Sequence, residues 1–104
     1  MRASDGLMEL RGRRLASVQN EHDYLQVRFG ADALLNIFNR VLLDGESGLQ
    51  NLVGSVVTGV DCTQEQIRIH FGSACLSISL EEASWTGPEA LALYLGDQPP
   101  IIVT

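Results

Sequence analysis

The cleanest alternation of hydrophobic and polar positions lies between residues 66 and 80. Gln66-Ile67-Arg68-Ile69-His70-Phe71 alternates strictly, Gly72-Ser73-Ala74 supplies a turn, and Leu76-Ser77-Ile78-Ser79-Leu80 alternates again. Period two marks a strand with one buried face, so these residues predict a hairpin. Ile67, Ile69, Phe71, Leu76, Ile78 and Leu80 share its inner face, while Arg68, His70 and the serines point away. Near the end of the chain, Ala92-Leu93-Tyr94-Leu95 and Ile101-Ile102-Val103 flank Gly96-Asp97-Gln98-Pro99-Pro100, which predicts a C-terminal hairpin.

Residues 32–43 carry a conflicting pattern. Leu34, Leu35, Ile37, Phe38, Val41 and Leu42 fall at helical spacing, with Asp32 placed as an N-cap and Gly45 as a C-cap. A repeat in the chain argues against a helix. Setting residues 10–30 over 52–72 matches Leu10 with Leu52, Gly12 with Gly54, Val18 with Val60, Phe29 with Phe71 and Gly30 with Gly72. Chance pairing at this composition gives about one or two identities over such a stretch. A one-residue slip then matches Leu35 with Leu76 and Ile37 with Ile78, and Gly45 later meets Gly87. Because Leu76–Leu80 is β-patterned, its counterpart at 34–39 is expected to be a strand as well.

The fold class implied by these patterns is all-β, or mostly so. Two pseudo-symmetric three-stranded meanders are expected, at 13–19, 24–29 and 34–39 and at 55–61, 66–71 and 75–80. With the C-terminal hairpin they would form a small sandwich or barrel. The chain reads as a single domain, 1–104, with an internal repeat at about 10–51 and 52–95.

These residues also carry a resemblance. The spaced leucine, glycine and valine, the alternating strand ending in Phe-Gly, and the Leu-x-Ile strand recur in both halves, followed by Asn39 in the first and Trp85 in the second. Over roughly residues 10–85 this resembles a family of small bacterial proteins of unknown function built from a duplicated three-stranded β unit. Gly72-Ser73 stands where that family has an Asp-Gly turn. The resemblance implies a fold and no catalytic residues. Some members are similar to immunity or accessory proteins that bind a neighbouring protein.

Composition narrows the function classes. Apolar residues make up 45% of the 104, enough for one core, and charged residues only 19%, which excludes the disordered class. The net charge of −6 opposes a phosphate backbone, so nucleic acid is not an expected partner. Four arginines, at 2, 11, 13 and 14, meet two acids within residues 1–14. They are read as a basic segment that complements an acidic body, with docking on an acidic partner as the alternative. No apolar stretch suggests a signal peptide or a membrane span, so a cytoplasmic protein without membrane association is expected.

Candidate chemistry is sparse. Cys62 and Cys75 lack the close spacing of a metal or redox pair and are expected to be reduced thiols. Assembling them with His70 and Asp61 around a metal would bring together residues from different strands, and no cofactor is expected. His22-Asp23 reads as a polar turn, and the Ser77/His70 pair lacks an orienting acid and an oxyanion hole. An enzyme is therefore the least favoured reading.

One asymmetry between the halves points to a contact surface. If the third strand of the first unit continues past residue 39, Leu34, Phe38 and Leu42 form an outward apolar stripe that the second unit lacks. Those three residues are the candidate partner-binding set, for a homodimer or another protein. Residues 40–51 folding back over them is the competing expectation. A small-ligand-binding β-barrel is the alternative function, with a cavity lined by Trp85, Tyr24 or Tyr94.

Overall fold

The computed structural model describes residues 7–21, 24–80, 91–96 and 99–103. In chain order the strands are β1 (Leu15–Asn20), β2 (Leu25–Phe29), β3 (Ala33–Ile37), β4 (Val41–Asp44), β5 (Gly59–Cys62), β6 (Gln66–Phe71), β7 (Ala74–Ser79), β8 (Leu91–Leu95) and β9 (Ile101–Val103). A short 3₁₀ turn precedes each meander, at Met8–Leu10 and at Leu49–Leu52. The fold is mostly β, as the alternation requires. Its two antiparallel sheets run β1-β2-β3-β8-β9 and β4-β7-β6-β5, and they do not close into a barrel.

The order of strands contains an exchange. β4 follows the first meander but pairs with β7 of the second, Leu43 opposite Leu76. β8 follows the second meander but pairs with β3 of the first, Leu93 opposite Leu35. Each meander is thus completed by the strand that trails the other.

The two units meet at a seam with local two-fold character. Arg14 bridges Val56, its own counterpart at an offset of 42. Gly12 donates its N–H to the Val57 carbonyl and Gly54 donates to that of Leu15, both at 2.8 Å. Leu15 donates to Ser55 and Val57 to Arg13, again both at 2.8 Å. Each bond becomes its twin when the units are interchanged. Gly12 and Gly54 take φ of 86° and 98°, a region that L side chains avoid, and so turn the chain into the seam.

Beside the seam, the Phe29 and Phe71 rings stack with centroids 6.4 Å apart and planes 9° apart. Leu10, Leu15, Leu35, Ile69, Ile78 and Leu93 are fully buried in the same core. At roughly 1.5–3 kcal/mol for each large side chain removed from water, this shared core is the main stabilising term.

The strand expected at 34–39 forms in place of the helix that the spacing over 32–43 suggests: Ala33, Leu35 and Ile37 alternate inward. Two local expectations need correction. That strand ends at Ile37 instead of continuing to Leu42, because the chain crosses to the other sheet. There Asn39 Nδ2 donates to the Ser79 carbonyl, and Ser79 N–H donates to the Arg40 carbonyl at 2.9 Å. The strand expected at 55–61 is confined to Gly59–Cys62, since residues 55–57 spend their main-chain groups on the seam.

Candidate functional site

β4 is the edge of the four-stranded sheet. The Ser79-to-Arg40 bond makes residues 40 and 79 a hydrogen-bonded pair, and antiparallel alternation then fixes the direction of each main-chain group along β4. Leu42 and Asp44 turn theirs toward β7, while Val41 and Leu43 turn theirs toward the open edge. Among the described residues no strand pairs there. Leu42 projects from the outer face of the sheet and is 62% exposed, the most open of the large apolar side chains described. Arg40 and Asp44, two positions away on either side, share that face and are also exposed.

A cleft lies on each side of this strand. The outer one, about 290 Å³, is bounded by Arg40, Leu42, Gln66, Ser77 and Ser79. The inner one, about 330 Å³ and more apolar, lies among Val18, Leu25, Val41, Leu43, Leu49 and Leu76. The inner cleft reaches from β4 to β1 and β2 of the other sheet.

The three residues expected to form one apolar stripe are separated. Leu34 is half-buried on β3 in the five-stranded sheet, flanked by Arg28 and Tyr94. Phe38 lies between β3 and β4, half-buried, its ring 5.4 Å from that of Tyr24. Leu42 alone stands open, on the other sheet. The single-strand stripe therefore does not form, and of its three residues only Leu42, on β4, offers open apolar surface.

The outer face of the same sheet holds the polar candidates. His70 Nε2 lies 2.8 Å from the Asp61 carboxylate, across β5 and β6. Ser77 is opposite Arg68 rather than His70, and the residue facing His70 is the buried Cys75. Cys75 Sγ and Ser77 Oγ are 3.9 Å apart. The Nε of Arg68 is buried without a hydrogen-bond partner among the described residues. Desolvation, and after it the charge of Asp61, pushes the Cys62 thiol up, which disfavours the thiolate. Of the four side chains that could be assembled around a metal, His70 meets Asp61 and has Cys75 as its cross-strand partner, while Cys62 is paired with Ile67; no cluster of three such ligands occurs among the described residues. His22, Asp23 and Trp85 lie outside the described residues.

The basic segment has internal uses. Arg13 forms an ion pair with Asp32 and donates from Nε to the Glu9 carbonyl, and Arg14 reaches the Gly54 carbonyl at 2.6 Å. No helix among the described residues is long and apolar enough to cross a membrane.

No protein-family model, curated protein or solved structure matches this chain. The open edge of β4 was missed from sequence because Val41-Leu42-Leu43-Asp44 neither alternates in polarity nor falls in the repeat register. The one available signal was Gly45, which could have been read as the end of a strand as readily as the end of a helix.

Proposed function

We propose that this chain is a non-enzymatic protein-binding or self-associating module whose contact surface is the edge and outer face of β4. The observation that carries this reading is Leu42, a large apolar side chain standing open on an edge strand. Exposed edges usually carry charge, a bulge or a cover, because their main-chain groups recruit other strands. Between the exposed Arg40 and Asp44, Leu42 offers apolar surface beside main-chain groups that no described residue pairs, and a partner strand would satisfy both. The family that the sequence resembles has some members similar to immunity or accessory proteins, which points in the same direction without naming a partner.

The ligand-barrel alternative has less to support it. The sheets are open, Phe29 and Phe71 stack between the units, and Tyr94 faces outward from β8. A photo-crosslinking residue placed at position 42 in the native cell tests the main reading. It should give a discrete protein adduct that the same residue at Arg28, on the outer face of the other sheet, does not. Absence of any adduct from position 42 would reject the reading.

A further inference from the structure

Resting on that reading, we infer that the partner of β4 is the β4 strand of a second copy of this chain, paired antiparallel about a two-fold axis through Leu42. The outward main-chain groups belong to Val41 and Leu43. Antiparallel self-pairing can match them in only three ways: Val41 with Val41, Leu43 with Leu43, or Val41 with Leu43. The last is the centred register and overlaps the whole strand. It makes about four main-chain hydrogen bonds, two from each Val41/Leu43 pair.

Side-chain chemistry selects that same register. With Leu42 facing Leu42 at the axis, Arg40 of each copy stands opposite Asp44 of the other. Opposite charges therefore meet twice on the outer face, with the two exposed leucines between them. The other two registers misalign both features. The described residues give neither Arg40 nor Asp44 a side-chain ion pair within the chain. On the inner face, Val41 of one copy meets Leu43 of the other beside the apolar cleft.

The chain itself shows that such a position can be filled. β8, which occupies the place of β4 in the other sheet, is covered on its outer edge by antiparallel β9. A symmetric β4 pair would join two four-stranded sheets into one continuous sheet, an isologous contact that closes on itself and leaves no further β4 edge.

The test is sedimentation equilibrium of the full chain and its charge variants. The wild type should be dimeric at micromolar concentration. R40D and D44R each place like charges opposite one another twice, so each should weaken the dimer at least about tenfold while staying folded. An equimolar mixture of the R40D and D44R chains should recover the affinity as a heterodimer, because every facing pair is then of opposite sign. The double variant should recover it as a homodimer. A wild type that remains monomeric at about 100 µM overturns the inference. So does a dimer indifferent to both single substitutions, or a mixture that does not recover. If the chain is monomeric while position 42 crosslinks to a different protein, the binding-module reading stands and only the self-pairing falls.

Discussion

β4 and β8 occupy matching places, each added to the third strand of a meander, and their neighbours differ. Register places Leu42 opposite Ser77 and Ala92 opposite Asn36, so the two are equivalent outer-face positions. Ala92 has no exposed surface and lies opposite Ile102 of β9, whereas Leu42 is 62% exposed with no strand beyond it among the described residues. Where a covering strand exists, the central position is a small residue fully enclosed. Where none exists, it is a large apolar one left open. The difference teaches that an edge is defined by what lies beside it: the same place next to a third strand is enclosed in one sheet and open to solvent in the other.

The sharpest way to break this comparison is to put the same charge at both positions. Ala92→Asp buries a carboxylate with no cation opposite it and should cost about 4 kcal/mol or more, enough to unfold much of the population. Leu42→Asp should change the stability of the monomer by only about 0.5 kcal/mol, since the added charge stays in water. Urea unfolding monitored by circular dichroism measures both. Similar losses at the two sites would mean that Leu42 belongs to the core and that β4 is not an open edge.

A smaller effect is expected where the two strands end. Gly45 and Gly96 directly follow β4 and β8 with φ of 84° and 54°, so alanine is strained at either site. At Gly45 an added Cβ would also lie 2.7 Å from the Ser73 carbonyl oxygen, part of the backbone of the β6–β7 turn. Near Gly96 the nearest atom is a carboxylate oxygen of Asp32 at 4.0 Å. Gly96→Ala should therefore cost about 1 kcal/mol and Gly45→Ala clearly more, as read from paired denaturation midpoints. Equal losses would remove the packing of β4 against that turn from the account.

The smallest effect concerns the loop that leaves β4. The Ser47 N–H at 2.9 Å, and after it the Asn51 amide at 3.2 Å, hold the Glu46 carboxyl below its usual range. A depressed folded pKa means that the ionised form stabilises the loop. That contribution is present above the unfolded pKa and is lost as pH falls through the folded one. Stability of the wild type should thus decline slightly more steeply than that of Glu46→Gln on acidification. Parallel profiles would show that the loop does not depend on this charge.

Much of the fold was legible because alternation is a local signal. Ile67, Ile69 and Phe71 lie inward as their spacing demands, and the repeat resolved the strand at Ala33–Ile37 against its helical periodicity. The destination of each trailing strand could not be read. Three residues separate β3 from β4, while eleven separate β7 from β8, so one offset cannot align β4 with β8. Gly45 has its fold-level analogue in Gly96, the glycine ending the equivalent strand, rather than in the Gly87 that the repeat suggested. Non-local pairing leaves no trace in hydropathy. The stripe of Leu34, Phe38 and Leu42 failed for that reason, and only Leu42 kept its exposure.

The exchange of trailing strands also bears on how the chain reaches this state. Leu35 and Leu93 must find each other across about 58 residues, and neither meander has its last neighbour until the other half has been made. Pairings this distant raise contact order, which slows folding and ties the two sheets into one cooperative transition. A chain emerging in order would hold β1–β3 with an unfilled side at β3 until β8 appears. Through that interval the bare flank of β3, and not the mature edge of β4, is the strand most open to wrong partners.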